Sequence, residues 1–207
     1  CVIRNNVYYL RILAQRMGSE GTECLDEIDE AIGKADRIVN ELLDFTRASS
    51  SRVAMIPVLD VIDQPLVDLA ISRGVELALP EVNADWLIKV DQELIQRVLA
   101  HLVANAVDAV GSGGMVELRV GRDENHVWIE GADEGPGISS PEKERVFDPL
   151  YTTKPTGVGL GLALSRRYAE SNGGSLLVTD SESGGACFRL TLPRSGHDDD
   201  ALSPESE

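Results

Sequence analysis

Positive charge is in short supply. The chain has 19 Lys and Arg against 35 Asp and Glu, a formal net charge of −16. Such a surface repels a phosphate backbone, so DNA or RNA binding is not its task. No run approaches the ~20 apolar residues that span a bilayer, and no secretory signal is visible. Cysteine is scarce: Cys1, Cys24 and Cys187 are an odd set without metal or redox spacing. Reduced thiols and a cytoplasmic setting are the expectation. Histidine is limited to His101, His126 and His197. There is no internal repeat. The tail 195–207, SGHDDDALSPESE, has one leucine, no aromatic and five acidic residues, and is expected to be disordered.

What is present is enough for a core. With 207 residues, 43% of them hydrophobic, one medium domain plus a smaller element is expected, with no need for a disulfide or metal staple. The first part, 1–50, reads as helical. Ile3, Val7, Leu10 and Leu13 can share one face of a short helix over 2–17, and the Gly18-Ser19-Glu20-Gly21 stretch breaks it. A long helix follows, in which Leu25, Ile28, Ile32, Ala35, Val39 and Leu42 alternate spacings of three and four. That is a heptad seam. Two helices bury such a seam poorly, so the seam predicts a second copy of the chain and a dimeric four-helix bundle. The alternative is a hairpin lying on the next domain. Because the chain starts inside a helical pattern, it is expected to be a piece of a longer protein, possessing a membrane anchor, if any, only in parts absent here.

Beyond the polar linker Ala48–Arg52 the pattern changes. Residues 54–58 read as an edge strand, 60–72 as a helix, 74–79 as an alternating strand, and Trp86–Val90 as another. Residues 91–110 form an amphipathic helix with Asp91 as N-cap. MVELRVGR and HVWIEGAD are strands joined by a hairpin at Asp123-Glu124-Asn125. A loop-rich segment covers 134–156, a helix covers 161–171, and SLLVTD and ACFRLTLP make a last hairpin. Interleaved strands and helices predict an α/β two-layer sandwich with a mixed sheet over 53–194.

Gly157, Gly159 and Gly161, in GVGLGLALSRR, run into the helix at 161. A dinucleotide fingerprint needs glycines at offsets of 0, 2 and 5 directly after a strand. Here the third offset is wrong and TTKPT precedes the motif, so that reading fails. A P-loop fails too, because no Gly-Lys-Ser/Thr follows. Glycines at a helix entrance remain, suited either to holding an anion on free N–H groups or to tight packing.

Three further segments bear on the choice. In HLVANAVDA, Asn105 is polar on an apolar helix face, with His101 one turn earlier. A buried carboxamide needs a partner, and its oxygen is a hard ligand suited to Mg²⁺, although taken alone a structural Asn bonded to backbone is the plainer reading. In DEGPGI, Asp133 at a strand end can accept from an amine while Gly135 and Gly137 let the backbone lie flat beside a ring. An acidic turn is the plain alternative. VFDPLYTTK brings aromatics, two threonines and Lys154, a point charge for phosphate or an ordinary solvent loop. Each is weak alone. Their order and spacing together are not.

Together they resemble the cytoplasmic kinase core of a bacterial sensor histidine kinase. HLVANAVDA resembles that family's N box, DEGPGI its first glycine box, FDPLYTTK its F box and GVGLGLAL its second glycine box. The resemblance implies a GHKL-type ATPase fold and ATP with Mg²⁺ as cofactors. It implies that Asn105 holds Mg²⁺ and that Asp133 accepts from the adenine amino group. Gly135, Gly137 and Ile138 would lie beside the base. Phe147, Tyr151, Thr153 and Lys154 would belong to a mobile lid. Gly157, Gly159, Leu160, Gly161 and Leu162, with Asp108, would complete the ATP site. His101, where the family often has Asn, is a candidate catalytic residue. Ala186-Cys187 stand where threonines are common, which predicts the loss of one water-mediated adenine contact. The implied partners are a second copy of the chain and a response regulator receiver domain. The implied activity is transfer of the γ-phosphoryl group of ATP to a histidine. None of the three histidines lies in an acceptor motif such as H-E-[LI]-x-N-P. CVIRNN can be laid on that motif with Cys1 in the histidine's place, so the acceptor is expected to be replaced at Cys1 or to lie upstream. The chain is then expected to bind ATP without phosphorylating itself, and an acceptor-less regulatory module is the alternative function.

Overall fold

Alternating apolar residues build the sheet, and helical periodicity builds the layer that covers it. A computed structural model describes residues 52–80, 86–154 and 157–194, with helical positions 10, 25–28, 31–33, 35, 39 and 43. The remaining parts of the expected 2–17 helix, Leu42 of the seam, Cys1, most of the linker and the acidic tail lie outside the described residues. The chain divides into two compact units, Cys1–Ala48 and Ser49–Glu207. In the first, every described position is helical, and Leu25 is buried with Ile32 packed against it. Ile28 and Val39 of the same seam are 44% and 53% exposed.

The second unit begins with strand β1 (Val53–Pro57) and a 3-10 turn (Val58–Val61). Helix α1 (Gln64–Ser72), strands β2 (Glu76–Ala78) and β3 (Leu87–Asp91), and helix α2 (Gln92–Val110) follow. Strands β4 (Met115–Arg122) and β5 (His126–Asp133), the short helix α3 (Ser140–Arg145), helix α4 (Gly161–Ser171), and strands β6 (Ser175–Asp180) and β7 (Ala186–Pro193) complete it. The main sheet has the order β2-β4-β5-β7-β6, with β2 and β4 parallel and the other pairs antiparallel. It is the expected mixed sheet. Strands β1 and β3 pair separately, antiparallel.

Helices α2 and α4 pack on each other and on the sheet. Ile95, Val98, Leu99, Leu102 and Val103 of α2 meet a core that includes Leu118, Ile129, Leu164, Leu176 and Leu190, all at most 2% exposed. Asp91 caps α2 as expected, its Oδ1 accepting from Leu94 N at 3.3 Å. Its other oxygen takes the Arg52 N–H at 2.8 Å. Asn172, which caps the end of α4 and is buried, bonds outward in two directions. Its Nδ2 donates to Tyr168 O at 2.8 Å and its Oδ1 accepts the Asp91 N–H at 2.6 Å. The end of α4 is thereby fastened to the start of α2.

Two segments differ from expectation. The single helix over 60–72 is instead a 3-10 turn and an α-helix, separated at Ile62 and Asp63. Pro65 explains the break: it lacks an N–H and fits the first turn of a helix, not its interior. The loop-rich 134–156 contains α3. Ser139 precedes it, and the Glu142 carboxylate reaches back to accept from Ser139 N at 3.2 Å and from its hydroxyl at 2.5 Å. Cys187 is buried on β7. Burial, then the Glu130 carboxylate, pushes its thiol up, which keeps it protonated and unreactive.

Candidate nucleotide-binding site

The four motifs converge on the C-terminal half of α2 and the first turn of α4. At one end, β5 delivers Asp133, only 3% exposed. Its Oδ1 accepts two backbone N–H groups, from Gly135 at 2.9 Å and Ala186 at 3.1 Å. Its Oδ2 receives no hydrogen bond from a described residue. A buried carboxylate oxygen without a donor is costly to leave unmet, and an amine on a ligand is the donor that satisfies it. The glycines around it let neighbouring segments close tightly on Asp133. A Cβ on Gly135 would sit 2.9 Å from both Ala109 Cβ and Asp133 Oδ1. Gly137 has φ +74°, the left-handed region that glycine adopts freely. Gly185 was not singled out from the sequence, yet a Cβ there would overlap Asp133 itself. Ser183 Oγ also donates to the Asp133 carbonyl, at 3.2 Å. The β6–β7 turn therefore builds the Asp133 site, and Ala186, at a position where the resembled family commonly has threonine, contributes its backbone N–H.

At the other end, Asn105 Oδ1 accepts from Lys154 Nζ at 2.8 Å, and Asp108 Oδ2 is 2.8 Å from the same ammonium. Asp108 Oδ1 also lies 3.6 Å from Arg73 Nη1, which follows α1. The sequence places Lys154 on phosphate; in this structure it sits on α2. The segment carrying it is closed at its base, where Leu150 N donates to Gly159 O at 2.8 Å. Gly159 has φ +75°, and a Cβ on it would come within 2.6 Å of Leu150 C and Tyr151 O. Leu150 itself has φ +67° and is 65% exposed. A branched residue held there is strained. The segment is tethered to the fold by its aromatics. Phe147 is buried, with its ring edge-on to Phe188 at 6.3 Å, and the Arg166 guanidinium lies 4.0 Å above it. Tyr151 carries the Arg145 guanidinium at 4.6 Å.

One turn before Asn105 on α2, His101 Nδ1 is 3.0 Å from Ser165 Oγ. Ser165 donates its own proton to Gly161 O at 2.8 Å, so the imidazole carries its proton on Nδ1 and donates it to Ser165. A Cβ on Gly161 would touch the His101 ring at 3.6 Å. Ser165 is a site residue that the sequence did not flag, because one serine among helical residues carries no signal. Leu160 precedes α4 without a side-chain cap and is buried. The first-turn N–H groups of α4, on Gly161 and Leu162, are thus the ones an anion can take. Ile138 and Leu162 are half-buried and Thr153 is exposed, and no described side-chain hydrogen bond joins them to Asp133 or Asn105.

A buried acid at a strand end, a polar helix face, a glycine-floored helix entrance and a segment with a lysine gather into a candidate nucleotide site of the ATPase type. Comparison with known proteins shows the family of the domain that holds it. Residues 90–196 match the family model described as Histidine kinase-, DNA gyrase B-, and HSP90-like ATPase. The chain is 30% identical over 191 residues to the signal transduction histidine-protein kinase AtoS of Escherichia coli K12, covering 89% of this chain and 31% of AtoS. The structure of the mycobacterial sensor histidine kinase MprB superposes with a TM-score of 0.62 at 28% identity, over 69% of this chain and 97% of that one. ThkA, in complex with response regulator protein TrrA, shares the fold with a TM-score of 0.71 at 23% identity, over 93% of this chain and 59% of that one. The chain belongs to the histidine kinase-, DNA gyrase B- and HSP90-like ATPase family, and its second unit is the catalytic ATP-binding domain of a sensor histidine kinase.

Among the described residues no helix is long and apolar enough to cross a membrane. Among the described residues no group of three or more His, Cys, Asp or Glu gathers, and the Asn105 face is the candidate for Mg²⁺ that the sequence indicates. The donor set fits that ion, which binds through one or two protein oxygens and takes the rest of its shell from water and phosphate.

Proposed function

We propose that this chain positions Mg²⁺–ATP for transfer of its γ-phosphoryl group to a histidine, and from there to a response regulator. The unmet Oδ2 of buried Asp133 carries the reading. Adenine supplies the missing donor through its amino group, and Gly135 and Gly137 admit its ring. Asn105 holds the metal, which when bound neutralises phosphate charge. The α4 entrance, from Gly157 to Leu162, offers backbone N–H groups to the phosphates. His101, oriented by Ser165, faces the same turn. Lys154 moves from α2 to the phosphates when nucleotide arrives. Catalysis of this kind is positioning and charge stabilisation, with an acceptor imidazole brought in line with the leaving oxygen.

The exposed seam residues Ile28 and Val39 support dimerisation of the first unit, in the manner expected of a four-helix bundle. The response regulator in the ThkA complex supports a partner of the same kind here. The test is a titration with a fluorescent ATP analogue, followed by incubation with labelled ATP. Mg²⁺-dependent binding without acid-labile phosphohistidine is the expected result for these 207 residues. A wild-type chain that fails to bind nucleotide refutes the function, and phosphohistidine on the isolated chain refutes the placing of the acceptor.

A further inference from the structure

The Lys154 ammonium is 2.8 Å from a carboxamide oxygen and 2.8 Å from a carboxylate oxygen. Asn105 and Asp108 stand at i and i+3 on α2, so one helix face aims both oxygens at a single point. Two hard oxygens, one of them anionic, directed at one positive centre are a donor set that a divalent cation accepts. Asp108 is otherwise hard to understand beside a triphosphate, because two anions repel unless a cation lies between them. Its other cationic neighbour, Arg73, has a side chain that is 61% exposed and sits 3.6 Å away. A pair so open to water neutralises little.

We propose that Asn105 and Asp108 together form the divalent-ion position, and that Lys154 fills it while no nucleotide is bound. Mg²⁺ arriving with the nucleotide exchanges with the ammonium. The ammonium leaves for the phosphates and carries its neighbours Leu150–Thr153 with it. Asp108 thus faces a cation in both states and never meets the phosphates bare. The inference rests on the nucleotide reading above and adds to it a second metal ligand and a tethered stand-in for the metal.

The experiment uses the whole 207-residue chain and two readouts. Affinity for a fluorescent ATP analogue is measured with Mg²⁺ and with EDTA, and binding of Mn²⁺ alone is measured by electron paramagnetic resonance. In Asp108→Asn, the ratio of the two nucleotide affinities shrinks by about tenfold, since metal-free nucleotide binds more tightly and its metal complex more weakly. Asp108→Glu keeps the charge and restores most of the ratio. In Lys154→Met, Mn²⁺ alone binds about fivefold more tightly than in wild type, because its competitor is gone. An unchanged ratio in Asp108→Asn overturns the shared position. Equal or weaker Mn²⁺ binding in Lys154→Met overturns the exchange. If wild type binds no nucleotide under either condition, the nucleotide reading fails, and the Mn²⁺ series still decides. Mn²⁺ lost in Asp108→Asn and strengthened in Lys154→Met upholds the cation position. No Mn²⁺ binding in wild type or Lys154→Met removes it.

Discussion

The two ends of the proposed nucleotide site are built in opposite ways. At the end proposed for adenine, a nearly inaccessible carboxylate is fixed by two backbone N–H groups from separate segments, and glycines set the walls. At the end proposed for phosphate, an ammonium 40% exposed bridges a carboxamide and a carboxylate on a neighbouring helix. The first end has little to rearrange when ligand binds, because its carboxylate at the end of β5 is already held by the N–H at the start of β7 and by that of Gly135. The second must break its own contacts to engage phosphate. Preorganisation suits recognition of an invariant base, whereas a displaceable contact suits a group that will be transferred and released.

The contrast is open to attack, beginning with its strongest consequence. Asp133→Ala should abolish detectable nucleotide binding. It should also lower the unfolding free energy by about 1–3 kcal/mol, because the Gly135 and Ala186 N–H groups lose their buried acceptor. Asn105→Ala should remove Mg²⁺–nucleotide binding with a stability change below about 1 kcal/mol, since its contact is only part-buried and its partner Lys154 is 40% exposed. Titration with a fluorescent nucleotide and urea denaturation measure both. Unchanged affinity in the two variants would refute the site, and an equal loss of stability in both would erase the difference between its ends. Next in size, Gly159→Ala forces a Cβ against the Leu150 and Tyr151 backbone at φ +75°. It should weaken ATP by about tenfold through a distorted lid base, while adenosine affinity stays within about twofold. A parallel loss for adenosine would show that the lid supports the base as well. Lys154→Ala should reduce ATP affinity in Mg²⁺ by about threefold to tenfold and leave adenosine unaffected; equal effects would place the ammonium elsewhere.

The smallest effect concerns Glu142 at the start of α3. Its bond from the Ser139 hydroxyl, then that from the Ser139 N–H, holds its carboxyl below the usual 4.5. A carboxyl depressed on folding contributes stability in full above its unfolded value and loses that contribution as pH falls through its folded value. The stability difference between wild type and Glu142→Gln should therefore be level from neutral pH down to about 5 and shrink below about 4.5. Denaturation curves across that range read it, and a difference that grows on acidification would show that the cap is not made by the carboxylate.

Much of the architecture was legible because it depends on local patterns. Strands β4 to β7 and helix α4 have the bounds that alternation and turn residues indicate, and Asp91 caps α2 as its position before an apolar helix implies. The break before Pro65 and the helix after Ser139 were also written in the sequence, as a proline that cannot sit in a helix interior and an S-x-x-E capping pattern. They were overlooked because longer patterns covered them. The site was legible as motifs, not as contacts. Nothing local says that Gly185 must make room for Asp133, 52 positions earlier in numbering but adjacent across paired strands. Nor does a serine on α4 announce that it fixes the tautomer of His101. Lys154 shows the limit most sharply: its charge predicts an anionic partner, but the partner in this structure is a side-chain oxygen pair that only tertiary packing supplies.

Asn172 gives the domain a pivot. It fastens the tail of α4 to the head of α2, while the opposite ends of these two helices carry the α4 entrance and the Asn105 face. The two helices also meet further along, where His101 Nδ1 lies 3.0 Å from Ser165 Oγ, so the joint and this contact together set α4 against α2. The Arg52 N–H is fastened to Asp91 at the joint.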